Sequence, residues 1–166
     1  SYPEDGTDLE TLVKNADAAM YRSKELGRNN FQFYSPELNL LGSQRMQREK
    51  QVRDALAKGE LFLHYQPQAQ TADGSVVSLE ALVRWDSPTR GVVPPDEFIG
   101  IAEQTGLIGP LTEWVVTTAL RQCRAWHDSG LHVSVAVNLS MRNLHDPELV
   151  RTIESELLAF GLDSSA

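Results

Sequence analysis

The chain has 166 residues and a mass of 18.5 kDa, enough for one full core or for pieces of two. Lysine and arginine total 15 against 23 aspartates and glutamates, a net charge of −8 that leaves no cationic surplus for phosphate backbone and argues against DNA or RNA as partners. Cys123 is the single cysteine, which excludes an internal disulfide framework and a cysteine-rich zinc site. The apolar runs fall far short of a membrane span and no signal-peptide pattern is visible in these residues, so the composition predicts a soluble protein of a reducing compartment.

The charge is unevenly spread: residues 1–60 carry 9 basic and 10 acidic side chains, and residues 61–166 carry 6 and 13. That change predicts two units meeting near residue 60. Thr7 and Glu10 form a capping box that opens a helix. Leu9, Leu12, Val13, Ala16, Ala19 and Met20 recur at helical spacing, and Gly27 ends the run. Residues 31–34, Phe-Gln-Phe-Tyr, read as a short strand stopped by Pro36. Residues 42–58 read as a polar connecting helix with few apolar points (Met46, Val52, Ala55, Leu56), ended by Gly59.

After Gly59 the pattern changes. Residues 61–67 alternate as a strand, Asp73-Gly74 marks a turn, and 76–85 is a longer strand. Pro94-Pro95-Asp96 opens a helix that ends near Gly106. Pro110 stands at the start of another, running to about residue 129, and Gly130 closes it. Residues 133–139 form the third strand. Asp146-Pro147 caps and starts a helix that runs to about Phe160, with Gly161 beyond. Strand, strand, helix, helix, strand, helix is α/β order, with too few strands to close a barrel.

Strand parity separates candidate chemistry from core. In 76–85, Val77, Leu79, Ala81, Val83 and Trp85 share an apolar face, while Ser78, Glu80, Leu82 and Arg84 share the other. A carboxylate there can hold a hard divalent cation and a guanidinium can hold a phosphate bidentately; a structural Glu–Arg pair is the alternative. In the third strand Val133, Val135, Val137 and Leu139 face one way, and Asn138 ends the opposite face. Its amide oxygen is a neutral hard ligand for magnesium or manganese, or a partner for a loop backbone. Lys24 and Arg28, spaced i,i+4, can clamp a phosphate or simply complement a helix dipole. The four histidines lack metal-ligand spacing, Cys123 reads as core filling beside Trp126, and there is no Walker A loop or dinucleotide fingerprint.

Two blocks carry a family resemblance. Tyr2-Pro3-Glu4-Asp5-Gly6, followed by Ala16-Asp17-Ala18-Ala19-Met20-Tyr21-Arg22-Ser23-Lys24-Glu25-Leu26-Gly27-Arg28-Asn29, resembles the C-terminal end of a diguanylate cyclase, or GGDEF, domain. Four further segments resemble the N-terminal part of an EAL domain, the cyclic di-GMP phosphodiesterase family. They are Leu63-His64-Tyr65-Gln66-Pro67, Glu80-Ala81-Leu82-Val83-Arg84-Trp85, the run from Pro94 to Ile108, and Val137-Asn138-Leu139-Ser140. The tripeptide Glu-Ala-Leu is a weak signal alone; four blocks in order with family-like spacing are a strong one.

The resemblance implies an α/β fold in three parts: a partial GGDEF α/β domain end over 1–40, a linker helix over 41–60, and the first strands and helices of an EAL-type TIM (β/α)8 barrel over 61–166. It implies Glu80 and Asn138 as catalytic ligands of Mg2+ or Mn2+, Arg84 as the holder of a substrate phosphate, and Gln66 as a lining of the substrate pocket. Lys24 and Arg28 match residues that contact nucleotide phosphates in active cyclases. The implied activity is metal-dependent hydrolysis of cyclic di-GMP to linear pGpG in bacterial second-messenger signalling. A cytoplasmic setting goes with it, in a parent that upstream segments can anchor to a membrane, together with dimerisation through the EAL part and GTP binding by a complete GGDEF domain. The Gly-Gly-Asp-Glu-Phe segment and the later EAL glutamates, double aspartate and lysine have no counterpart in the 166 residues, so the chain by itself is expected to be inactive. Two alternatives stand beside this reading: a degenerate cyclic di-GMP-binding or protein-interaction module, and a bifunctional parent with cyclase activity.

Overall fold

Helix α1 (Leu9–Glu25) starts where a carboxylate caps it. The capping box predicts Thr7 in that role, but Asp8 takes it. Asp8 Oδ1 accepts from the Thr11 backbone N–H at 2.8 Å and Oδ2 accepts from the Thr11 hydroxyl at 2.8 Å. An ionised acceptor suits the positive end of a helix better than a hydroxyl does. The computed structural model describes residues 1–27 and 29–163, and the chain divides into two compact units, Ser1–Lys50 and Gln51–Ala166.

In the first unit residues 31–34 are not a strand. Phe31 and Phe33 instead stack edge to face at 5.5 Å and stay exposed. Local β-propensity cannot make a strand without a ladder partner, and none pairs with this segment among the described residues. Helix α2 (Pro36–Lys58) begins six residues before the polar pattern predicts. Pro36 opens it rather than halting a strand, because proline's fixed φ and missing N–H are both tolerated in a first turn. Buried Asn15 ties the unit together, donating to the Asp5 carbonyl at 2.7 Å and accepting from Asn39 at 3.2 Å.

The second unit is built on a four-stranded sheet of β1 (Leu61–Ala69), β2 (Val76–Ser87), β3 (Gly91–Val93) and β4 (Ser134–Val137). β1 and β2 form an antiparallel hairpin across the turn at Asp73, whose Oδ1 accepts from the Ser75 backbone N–H at 3.0 Å and from its hydroxyl at 2.8 Å. β3 returns antiparallel to the end of β2; three residues are too few to show alternation, and the sequence pattern does not reveal it. Helices α3 (Pro95–Thr105) and α4 (Ile108–Asp128) then cross over to β4, which pairs parallel with β2. β4 is shorter than the 133–139 alternation predicts. The last helix, α5 (Leu149–Phe160), starts three residues past Asp146, whose Oδ1 accepts from the Glu148 backbone N–H at 3.0 Å in the turn before it.

The core lies between one face of the sheet and the helices. Ala81 and Trp85 of β2 are buried, with Leu61, Val93, Phe98, Ala102, Leu111 and Val115, and with Val52 and Ala55 of α2. Trp85 meets Phe98 edge to face at 5.9 Å, and its indole N–H donates to Glu60 Oε2 at 3.0 Å, so the buried ring keeps a polar partner. Tyr65 packs edge to face on Trp126 at 4.8 Å. Cys123 is fully buried with its Sγ 3.5 Å from the Val133 carbonyl, as core filling requires.

Candidate functional site

Because the odd-numbered residues of β2 turn to the helices, Ser78, Glu80, Leu82 and Arg84 lie half-buried on the opposite face. The ladders set their neighbours. Gln66 of β1 stands directly across from Glu80, Phe62 across from Arg84, and Ala136 of β4 beside Glu80. Directly opposed residues project from one face, so Gln66, Glu80 and Arg84 share it. Asn138 follows β4 by one residue, and its Nδ2 donates to Glu80 Oε1 at 2.7 Å, joining positions 58 residues apart. Arg84 Nη1 donates to the Val83 carbonyl at 2.8 Å. Arg84 and Asn138 also line a cavity of about 330 Å³ together with Leu82, Glu103, Thr112 and Asn143.

A family model for the EAL domain matches residues 49–166. The chain belongs to the EAL domain family. Over 162 residues it is 46% identical to the cyclic di-GMP phosphodiesterase NbdA of Pseudomonas aeruginosa, covering 97% of this chain and 21% of that protein. It is 40% identical over 166 residues to the bifunctional diguanylate cyclase/cyclic di-GMP phosphodiesterase MucR of Pseudomonas aeruginosa, covering 99% of this chain and 24% of the relative. Among solved structures, the PaMucR phosphodiesterase in complex with c-di-GMP superposes with a TM-score of 0.67 at 39% identity, over 70% of this chain and 47% of the other. The chain thus spans about a fifth to a quarter of the length of these curated relatives. Its second unit has the helix and strand order of the start of an EAL-type β/α fold, preceded by helices.

The EAL chain's remaining candidate residues lie elsewhere. Lys24 belongs to the first unit, exposed in the last turn of α1, and Arg28 lies outside the described residues. Burial pushes the Cys123 thiol up from its ordinary range, which disfavours the thiolate and any nucleophilic role. Among the described residues no helix is long and apolar enough to cross a membrane.

Glu80 and Asn138 fit a hard divalent cation in kind. A carboxylate and an amide carbonyl are both oxygen donors, and a half-turn of the Asn138 amide exchanges its NH2 for its oxygen. They fit only as part of a set, since among the described residues no three histidine, cysteine or acidic side chains are grouped to hold a metal ion. The sequence pattern leaves out one polar group at this EAL site. Asn143 is buried, and its Oδ1 accepts from the Thr112 hydroxyl at 3.1 Å and from the Ser140 N–H at 3.0 Å. The Ser-x-x-Asn spacing after β4 is a local turn signal, but its partner Thr112 lies 31 residues earlier.

Proposed function

We propose that this chain is the N-terminal part of the catalytic domain of a metal-dependent cyclic di-GMP phosphodiesterase, which opens cyclic di-GMP to linear pGpG in bacterial second-messenger signalling. The observation that carries the reading is the 2.7 Å contact between Glu80 and Asn138. A loop-anchoring asparagine would turn to the backbone; this one meets a carboxylate on the face shared with Gln66 and Arg84. In this reading Glu80 and Asn138 hold Mg2+ or Mn2+, which when bound supplies polarisation of the phosphodiester and an activated water. Arg84 turns its fork from the Val83 carbonyl to a phosphate oxygen, and Gln66 lines the substrate pocket. Glu80 is the single anionic ligand of this pair, whereas two-metal chemistry clamps both the attacking and the leaving oxygen, so the 166 residues alone do not turn over substrate.

The same reading assigns 1–40 to the C-terminal part of a GGDEF domain, 41–60 to a linker and 61–166 to the EAL domain. Similarity to a bifunctional cyclase/phosphodiesterase over 99% of the chain supports it. Lys24 and Arg28 then serve nucleotide phosphates in a complete GGDEF domain that binds GTP, and the cytoplasmic parent dimerises through its EAL part. A second reading is a module that binds cyclic di-GMP without hydrolysing it, in which Gln66 and Arg84 contact the ligand and Glu80 and Asn138 hold no metal.

The test uses the full-length protein with cyclic di-GMP and Mg2+ or Mn2+, with pGpG measured by chromatography. Turnover should require the metal and vanish in Glu80→Ala, while Arg84→Ala should mainly raise KM. Tight binding without pGpG in the unsubstituted protein would favour the second reading. Undiminished hydrolysis by Glu80→Ala at limiting metal would defeat the assignment.

A further inference from the structure

We infer that Asn143 is a positioning residue for Asn138: its buried side-chain oxygen pins the segment after β4 to helix α4 and so sets Asn138 against Glu80. The inference rests on the metal-dependent reading of this site. The ladder between β2 and β4 ends at Ala81 and Val137. Asn138 therefore lies one residue beyond the last strand pair. Two residues further on, the chain is held again. The Ser140 N–H donates to Asn143 Oδ1 at 3.0 Å, and the Asn143 N–H donates back to the Ser140 carbonyl at 3.0 Å. The Ser140 hydroxyl accepts from the Arg142 N–H at 3.1 Å.

These local bonds close the turn, and one bond fixes the turn to the rest of the unit. The Thr112 hydroxyl donates to the same Asn143 Oδ1 at 3.1 Å. Thr112 is only 7% exposed and sits on α4 between the core residues Leu111 and Val115, while Asn143 is 4% exposed. Both lone pairs of one amide oxygen are thus used, one on the turn and one on the helix. Buried polar groups persist only when bonded, so removing this acceptor strands a hydroxyl and an N–H and frees the turn from α4. Asn138, bracketed between the end of β4 and this pin, then loses its fixed approach to Glu80. Loss of a group that orients a metal ligand is felt in affinity for the ion or in activity; because Asn143 acts here only through the placing of Asn138, the loss is expected in affinity.

The test titrates Mn2+ into the full-length protein, reading free ion by its electron paramagnetic resonance signal and, separately, hydrolysis against metal concentration. Asn143→Leu should weaken Mn2+ binding by about tenfold or more, with kcat recovering as metal saturates. Thr112→Val should shift binding in the same direction by a smaller factor. Asn143→Asp keeps an acceptor oxygen for both donors and adds a negative charge, so it should not weaken Mn2+ binding. If Asn143→Leu does not fold, the comparison of Thr112→Val with Asn143→Asp decides. Mn2+ binding unchanged in Thr112→Val and Asn143→Leu, while Glu80→Ala weakens it, overturns this inference alone. Mn2+ binding unchanged in Glu80→Ala overturns the metal-site reading beneath it. A loss of kcat at every metal concentration with binding intact would also overturn the positioning role.

Discussion

Phe98 offers the sharpest test of how the sheet face is supported. Its side chain is 1% exposed, lies at the first turns of α3, and stacks edge to face on Trp85 with ring centroids 5.9 Å apart. Phe98→Ala removes the buried ring and leaves a hole between α3 and β2, a change that ordinarily costs about 3–5 kcal/mol. The aromatic pair adds about 0.5–1.5 kcal/mol beyond area, which places the expected loss near the top of that range. Few neighbours can collapse into the space, because Val93, Ala102 and Leu111 around it are themselves packed and short. The emission of Trp85, summed with that of Trp114 and Trp126 on α4, reports unfolding of the second unit. Urea denaturation followed at the tryptophan emission should show a lower midpoint with an unchanged slope. A loss below about 1.5 kcal/mol, the range of tolerated volume-conserving swaps, would refute the packing argument.

Gly106 ends α3 at φ +81°, and a Cβ built there meets nothing within 4 Å, so Gly106→Ala should lose about 1–2 kcal/mol from backbone strain alone. Gly106→Asn should lose less; equal losses in the urea midpoint would count against this. The Asp8 carboxyl is held below its ordinary 3.8 by the Thr11 backbone N–H and then by the Thr11 hydroxyl. A lowered folded value means that its contribution is whole above 3.8 and fades as pH falls through the lowered value. Acid titration of helicity by circular dichroism should therefore lose a component in Asp8→Asn, and identical acid profiles would reject the cap. Cys123 is fully buried with its thiol pushed up by burial, so Ellman's reagent should label it only after urea unfolds the second unit; rapid labelling of folded protein would contradict that packing.

Much of this architecture is written in short-range signals. The alternation of 76–85 identifies which face of β2 is core, because period two depends only on each residue's own polarity, and the burial of Ala81 and Trp85 follows it. Gly106 and Gly161 mark helix ends in left-handed backbone, which is a property of a single residue. The family blocks name the candidate residues. Signals of the same local kind mislead where a distant or stronger partner competes. Residues 31–34 have strand-forming side chains and no strand to pair with, and Thr7 loses the cap of α1 to the adjacent carboxylate.

Which separated residues meet is a matter of packing, beyond the reach of local pattern. β1 runs antiparallel to β2, with Gln66 opposite Glu80, because the hairpin turn at Asp73 and the one-residue register shift at Gln68/Ala69 together set that register. Asn138 reaches Glu80 across 58 residues and Thr112 reaches Asn143 across 31. The first meeting depends on the length of the α3–α4 crossover, the second on the run from α4 through β4, and both on the core that seats these helices against the sheet. Hydrophobic period and capping are read within a turn or two of chain, whereas a distance between strands is the result of every packed layer between them.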